Sequence, residues 1–259
     1  MTRDDESKLL DVSGLTVRFG GFTAVDHVSL TVSVGESVGL IGPNGAGKTT
    51  CFNAISGFQR ADEGEVWVSG SRLRSGDAHG AWRSGLARTF QRLELFWSLT
   101  VREHVELAHR YSARRNSPTA AVSVDEVLEL VGITAIADEI AVNLPLGVCR
   151  LVELARALAA RPKLLLLDEP SSGLDRDETK LFDSTLRATR EATGVAILLV
   201  EHDVEFVMGL AQRVYVLDFG RIIASGRPAE IQDSELVRSV YLGGDAGEAL
   251  SSDKSVVGV

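Results

Sequence analysis

The chain has 259 residues and a hydrophobic content of 44%, enough to bury the core of one large domain or two small ones. Its formal net charge of -9 argues against nucleic acid as a partner, because proteins that bind nucleic acid by bulk charge carry an excess of Lys and Arg. Cys51 and Cys149 are too few for a disulfide scaffold and indicate a reducing compartment, and no segment predicts a secretion signal or a membrane span.

Short strands dominate the beginning of the chain. Apolar residues alternate with polar ones on both sides of the glycine pair at 20–21, at Leu15, Val17 and Phe19 and then at Val28, Leu30 and Val32. This alternation predicts a small antiparallel sheet. A buried strand follows at 37–41, then a glycine-rich turn, a helix at 49–56 ended by Gly57, and a further strand at 65–68.

The middle of the chain changes to helical spacing. Apolar residues recur every three or four positions between about 93 and 142, for instance at 105–109 and 124–131, around a polar loop at 112–119 that is predicted to be a solvated surface. A helix at 151–160 leads back to apolar strands at 164–167, 195–200 and 214–217, an edge hairpin at 220–226, and a short helix to Tyr241. The predicted fold class is an α/β core with an antiparallel β subdomain and an inserted α-helical subdomain.

Residues 42–49 match the phosphate-binding pattern G-x-x-x-x-G-K-[ST] at every fixed position, with a strand before and a helix after. In such a loop, hereafter the phosphate loop, backbone N–H groups and the helix N-terminus bind phosphate. Lys48 then reaches the β and γ phosphates, and Thr49 offers a hydroxyl to Mg²⁺. The predicted nucleotide-binding residues here are Gly42, Pro43, Asn44, Gly45, Ala46, Gly47, Lys48, Thr49 and Thr50.

An acidic pair follows the strand of four leucines at 164–167. Asp168 at the tip of this strand is predicted to hold Mg²⁺ through water, since a metal-side carboxylate belongs on a strand beside the phosphate loop. Glu169 is placed to polarise a water molecule for attack on the γ-phosphate. The sequence therefore predicts a nucleotide-hydrolysing site.

Together with further motifs, these two resemble the ATP-binding subunits of ABC transporters over nearly the whole chain. The further motifs are Arg-Thr-Phe-Gln at 88–91, Ser-Ser-Gly-Leu-Asp at 171–175 and Val-Glu-His-Asp at 200–203. The resemblance implies a P-loop NTPase core of ABC ATPase type, with ATP and Mg²⁺ as cofactors. It also implies that Gln91 contacts Mg²⁺, that His202 contacts the γ-phosphate, and that Phe19 stacks on adenine.

The segment at 144–148, hereafter the signature segment, departs from the family pattern Leu-Ser-Gly-Gly-Gln. In the family, the serine hydroxyl, the backbone N–H groups and the helix dipole of this segment stabilise the γ-phosphate of the nucleotide bound by the opposite subunit. The residues predicted to bind nucleotide in trans are Leu144, Pro145, Leu146 and Gly147. Pro145 and Val148 replace the serine and the glutamine, which leads to the hypothesis that one shared site is slower than the other. Two roles remain for the neighbouring Cys149, a packed apolar thiol or a redox switch.

Order and spacing argue against three rival families. The Asn-Lys-x-Asp base-binding motif of GTPases is missing, and only 52 residues separate Gln91 from Leu144, too few for the coiled coils of DNA-repair ATPases. Tandem translation-type proteins need two cassettes. Within transporters, Ala-Arg-Thr-Phe-Gln at 87–91, the segment 95–105 and the ending at 240–245 are similar to branched-chain amino acid importer ATPases, a group that also handles amides and urea. Lipopolysaccharide-export ATPases share the Tyr-Leu-Gly ending, so the Arg-Thr-Phe-Gln segment is what favours the importer.

The resemblance implies an ATPase subunit at the cytoplasmic face of the cell membrane, with Glu169, His202 and Lys48 as catalytic residues. The implied partners are permease subunits, a second ATPase subunit that is a paralogue rather than a copy, and indirectly a periplasmic or extracellular solute-binding protein. A single domain is expected at 1–243, with its helical subdomain at about 93–152 and a flexible tail at 244–259. Two alternatives remain, a lipopolysaccharide-export ATPase and a non-hydrolytic ATP-binding module that completes a partner's site.

Overall fold

The computed structural model describes residues 8–112 and 123–242. The predicted flexible tail and most of the polar loop at 112–119 lie outside the described residues. The strands in the described part are β1 (Lys8–Phe19), β2 (Phe22–Ser33), β3 (Ser37–Ile41), β4 (Glu63–Val68), β5 (Ser71–Arg72), β6 (Leu86–Arg88), β7 (Leu164–Asp168), β8 (Ala196–Val200), β9 (Arg213–Asp218) and β10 (Arg221–Gly226). The α-helices are α1 (Lys48–Ile55), α2 (Ala78–Arg83), α3 (Val101–Ser112), α4 (Val124–Val131), α5 (Leu146–Ala159), α6 (Arg176–Thr193), α7 (Val204–Leu210), α8 (Pro228–Asp233) and α9 (Glu235–Leu242).

A six-stranded sheet forms the centre, in the order β10-β9-β3-β8-β7-β6. Its strands are parallel except β10, which pairs antiparallel with β9 at the edge, as the predicted hairpin requires. The leucines of β7 alternate between the two faces: Leu164 and Leu166 join one apolar cluster, and Leu165 and Leu167 join the other. Burial on both faces explains why this strand is uniformly apolar, and each such leucine stabilises the fold by about 1.5–3 kcal/mol.

The second sheet is antiparallel, with the order β2-β1-β4-β5. Its apolar face packs on α1, whose Phe52 and Ile55 are fully buried in the cluster shared with β1, β2 and β4. The apolar residues that alternate with polar ones in β1 and β2 therefore cover α1 on the side opposite the central sheet. The predicted antiparallel sheet is confirmed.

Helices α3, α4 and α5 lie between β6 and β7 in the chain and pack on one another. Helix α4 begins with a capping box of Ser123 and Glu126 and ends at Gly132, whose φ of 76° suits glycine. Helix α5 begins at Leu146, five residues before the predicted start at 151, because Pro145 occupies the N-cap with φ -59° and leads directly into the helix. The predicted α/β fold with an inserted helical part is confirmed.

The short strand β6 was not predicted. It has three residues, too few for a periodic pattern, and it is defined by its parallel pairing with β7. None of the helices in the described part of the chain is both long and apolar enough to cross a membrane.

Candidate nucleotide-binding site

The phosphate loop joins β3 to α1. The Nζ atom of Lys48 donates to the carbonyl oxygens of Gly42, at 2.6 Å, and Pro43, at 3.0 Å, so the ammonium lies folded over the loop. Burial lowers the pKa of Lys48, and the nearby carboxylates of Glu169 and Asp168 oppose this by stabilising the charged form. The Lys48 ammonium is thus held by two backbone carbonyl groups at a buried position, where water screens its charge poorly.

Two glycines of the loop are required by close backbone approaches. A Cβ atom at Gly42 would collide with the carbonyl oxygen of Leu217, and one at Gly47 would collide with that of Ala24. Gly47 also has φ 102°, a conformation that L-residues rarely adopt. The neighbouring strands therefore fix the path of the loop, and the backbone N–H of Gly220 adds a bond of 2.9 Å to the Ala46 carbonyl.

Glu169 lies just beyond the carboxyl end of β7 and has φ 48°, a strained value for a residue with a side chain. Gln91 Nε2 donates to Glu169 Oε2 at 2.7 Å, and His202 Nδ1 lies 3.9 Å from the same oxygen. Gln91 is therefore hydrogen-bonded to Glu169, whereas His202 lies nearby without a hydrogen bond to it and is closer to Glu201 Oε2, at 3.6 Å. The amide nitrogen of Gln91 contacts the Glu169 carboxylate in the structure, whereas the sequence assigned Gln91 to the metal.

Asp168 is buried together with Arg88. Arg88 Nη2 donates to Asp168 Oδ2 at 2.7 Å, with only 4% and 3% of the two side chains exposed. Burial raises the pKa of Asp168 although Arg88 opposes the shift. The second oxygen, Oδ1, is buried without any hydrogen-bond partner. A buried, unsatisfied carboxylate oxygen fits a hydrated divalent cation, which takes oxygen ligands.

The other predicted residues lie at accessible positions. Thr49 is exposed at the start of α1 and Thr50 is half-buried. Phe19 ends β1 with half of its side chain exposed, which leaves room for a ring to stack on it.

The signature segment lies at the start of α5, against α6. Pro145 and Leu146 are exposed, and the backbone N–H of Gly147 donates to Glu178 Oε1 at 3.2 Å. A Cβ atom at Gly147 would meet that carboxylate, so a larger residue would require the Glu178 side chain to move. The side chains of Pro145 and Leu146 are therefore accessible to a second subunit.

Two buried charges of the site were not singled out from the sequence. One is Arg88, and the other is Glu201, whose Oε1 accepts from the Ser171 N–H at 2.7 Å and the Ser171 hydroxyl at 2.6 Å. Burial raises the pKa of Glu201. Glu201 directly follows the predicted apolar strand at 195–200, and that position is the signal that could have identified it, whereas Arg88 ends a strand too short to predict.

The two cysteines are packed inside the protein. Burial raises the pKa of Cys51 to about 12 and also raises that of Cys149, whose Sγ contacts the Leu144 carbonyl at 3.7 Å. Both effects favour the structural role of Cys149 over a redox switch, since the thiolate is the reactive form.

We expect neither cysteine to react readily with a maleimide at neutral pH in the native protein, because both thiols are buried and protonated. Mass spectrometry of the labelled protein would check this, with urea-unfolded protein as the control in which both must react. Rapid modification of Cys149 in the folded protein would contradict its packed position.

Comparison with known families gives two matches. A family described as "ABC transporter" matches residues 25–172. A second, described as "Branched-chain amino acid ATP-binding cassette transporter", matches residues 221–247.

Individual proteins agree with these matches. The high-affinity branched-chain amino acid transport ATP-binding protein LivG of Salmonella typhimurium is 38% identical over 249 residues, covering 91% of this chain and 98% of LivG. The lipopolysaccharide export system ATP-binding protein LptB of Haemophilus influenzae is less similar, at 34% over 91% of this chain and 97% of LptB. The crystal structure of the ADP conformation of MJ1267, an ATP-binding cassette of an ABC transporter, superposes with a TM-score of 0.80 at 29% identity, covering 92% of this chain and 99% of that one.

Proposed function

Because this chain belongs to the ATP-binding subunits of ABC transporters, we propose that it hydrolyses ATP to power a branched-chain amino acid importer. The similarity to LivG, which exceeds that to LptB, supports this substrate class over lipopolysaccharide export. Related amides or urea are the neighbouring cargo classes. The subunit itself does not touch the cargo, so its own residues serve nucleotide chemistry.

One observation carries the hydrolytic part of the proposal: Gln91, His202 and Glu169 converge beside the phosphate loop. A carboxylate that is held by an amide and has an imidazole nearby is suited to orient and polarise an attacking water molecule. Glu169 therefore acts as the general base. His202, with 59% of its side chain exposed, is free to contact the γ-phosphate.

The phosphate loop and Lys48 bind the β and γ phosphates. Lys48 stabilises the charge of the transferring phosphoryl group from within the loop, where its ammonium is held by the carbonyls of Gly42 and Pro43. Phe19 stacks on the adenine ring. A bound Mg²⁺ ion would neutralise charge on the phosphates. Thr49, Asp168 and Gln91 are the residues that would hold this ion. The unsatisfied Oδ1 of Asp168 supports that assignment.

The signature segment completes the site of a second subunit, with Leu144, Pro145, Leu146 and Gly147 facing the γ-phosphate of the partner's nucleotide. Without the serine hydroxyl, the dipole of α5 remains to stabilise that charge, together with backbone N–H groups once that of Gly147 is released from Glu178. A missing hydrogen bond costs about 1–3 kcal/mol, so the site that receives this segment turns over roughly ten to a hundredfold more slowly. The partner subunit is a paralogue with its own signature.

Importer ATPases act with membrane permeases, and we place this subunit on their cytoplasmic face. Closure of the two ATPase subunits on two ATP molecules moves the permeases one way, and hydrolysis releases them. A periplasmic or extracellular solute-binding protein delivers the cargo to the permeases. Nucleic acid takes no part in the proposed function.

Capture of the complex tests this proposal. Tagged Glu169→Gln protein is recovered from native membranes in the presence of Mg-ATP, and every bound chain is identified by mass spectrometry. Two different permeases and a second ATPase are the expected result. Tagged Lys48→Met protein serves as the control, because it lacks the cation that binds the phosphates and should recover less of the closed ATPase pair.

Other outcomes discriminate the alternatives. Recovery of lipopolysaccharide-export components without an amino-acid-binding protein would overturn the importer assignment. Recovery of this chain alone, with or without a single permease, would mean that the signature segment serves both sites and that the asymmetric pair is wrong. A fall in phosphate release when Glu169→Gln is introduced into this chain alone, relative to the purified wild-type complex, excludes a non-hydrolytic module.

A further inference from the structure

Arg88 is a buried cation at the end of β6. Besides Asp168, its guanidinium donates from Nη1 to Asn53 Oδ1 at 2.8 Å and to Ser56 Oγ at 2.7 Å. These two partners belong to α1 and its C-cap, so Arg88 ties the strand that carries Asp168 to the helix that starts at the phosphate loop. Each of these bonds restricts the orientation of the planar guanidinium.

Three aromatic rings surround the same guanidinium. Its carbon atom lies 5.8 Å, 5.7 Å and 5.0 Å from the ring centroids of Phe52, Phe58 and Phe90. Rings at these distances attract a cation and exclude water from around it. The ion pair with Asp168 is therefore poorly screened, and the orientation of Arg88 is determined from several sides.

The two oxygens of Asp168 have different surroundings. Oδ2 is held by Arg88, while Oδ1 is buried and has no partner. Fixing one oxygen of a carboxylate also fixes the direction of the other. Arg88 thereby presents Oδ1 for a ligand instead of leaving the carboxylate to rotate.

The same short segment controls both acidic residues of the site. Arg88 at its start binds Asp168, and Gln91 at its end binds Glu169. The backbone between them is held by Arg150, which donates to the carbonyls of Phe90 and Gln91 at 3.1 Å and 2.8 Å. The segment at 88–91 therefore sets the positions of the metal-side carboxylate and the base together.

We propose that Arg88 is a positioning residue that orients Asp168 toward the divalent cation of the bound nucleotide. This inference rests on the proposed function only in requiring a magnesium nucleotide at the phosphate loop; it does not depend on the transported cargo or on the partner subunit. Groups that orient a metal-binding side chain typically contribute about 10–100-fold to metal affinity.

The test compares Arg88→Gln and Arg88→Lys with the wild-type protein. Binding of a fluorescent ATP analogue is followed by anisotropy, first in excess EDTA and then as free Mg²⁺ is raised, and ATP turnover is measured over the same Mg²⁺ range. We expect Arg88→Gln to raise the half-saturating Mg²⁺ concentration about tenfold or more, while binding in EDTA stays unchanged. Arg88→Lys keeps the charge but loses the forked geometry, so a smaller rise is expected.

Arg213→Gln is the matched control. Arg213 also pairs with a carboxylate, Glu36 at 2.9 Å, and lies 5.2 Å from an aromatic ring, that of Tyr215. Its ion pair joins the first residue of β9 to the residue before β3, at the end of β3 opposite the phosphate loop. We expect this variant to lose stability without any change in Mg²⁺ dependence.

Several outcomes would overturn the role of Arg88. Wild-type Mg²⁺ dependence in folded Arg88→Gln would do so, as would an equal loss of nucleotide binding with and without Mg²⁺, which marks a general structural role. If Arg88→Gln does not fold, judged by its thermal melting, Arg88→Lys decides the question alone, and an unchanged Mg²⁺ dependence contradicts the inference. Wild-type protein that binds nucleotide but transports no amino acid overturns the proposed cargo and leaves this test valid.

Discussion

Glu169→Gln is expected to lower ATP turnover by about 10²–10⁴-fold while nucleotide binding is kept. The amide can still accept from Gln91 and occupy the same strained position after β7, but it cannot take a proton from water. Because Lys48 and the phosphate loop are untouched, the affinity for ATP should be close to that of the wild-type protein. Phosphate release and equilibrium binding of ATP, measured on the same preparation, check both halves of the expectation.

Glu191→Gln is the control for this substitution. Glu191 is an exposed residue near the end of α6, so the same loss of a carboxylate there should leave turnover unchanged. Near-normal turnover of Glu169→Gln would mean that another group activates the water, and the assignment of the general base would be wrong.

Lys48→Met is expected to reduce ATP turnover by about 10²–10³-fold and to weaken nucleotide binding as well. The methionine side chain fills most of the space of the lysine stem, so the loop keeps its packing. It loses the ammonium that is bound to the carbonyls of Gly42 and Pro43. The combined loss of ATP affinity and of turnover distinguishes this variant from Glu169→Gln. Titration with ATP measures the affinity, and phosphate release measures the turnover.

Lys180→Met is the corresponding control. Lys180 lies on α6 with 77% of its side chain exposed and makes only a loose pair with Asp177 at 3.8 Å. Surface pairs of this kind contribute little, so the variant should bind and hydrolyse ATP as the wild-type protein does. Wild-type ATP affinity and turnover in Lys48→Met would contradict the role given to the phosphate loop.

Short, dense motifs were the most predictable part of this protein. The strand at 37–41 and the helix that follows the phosphate loop lie where the pattern placed them. Their geometry is local, since glycine alone can follow the backbone at Gly47 and since uniformly apolar strands belong in the middle of a parallel sheet. By contrast, the start of α5 was predicted five residues late, because its first turn shows no apolar period.

The contacts between distant motifs were not predictable in the same way. The sequence named Gln91, Glu169 and His202 for separate roles, whereas the structure shows that Gln91 is hydrogen-bonded to Glu169 and that His202 lies 3.9 Å from the same oxygen. Arg88 carried no assigned role, although it is the buried partner of Asp168. Which of these side chains pair depends on which strands are neighbours in the sheet, and no single segment of the sequence predicts the order β3-β8-β7-β6.

The fold class, the phosphate loop and the family can be recognised from the residues alone, because each follows from residue types at fixed short spacings. Packing determines which charges are buried together, which oxygen of Asp168 is left without a partner, and how the segment at 88–91 holds both acidic residues. The physical reason is that burial and hydrogen bonding arise from packing between elements far apart in the chain. A buried charge acquires its role from the partner that packing gives it.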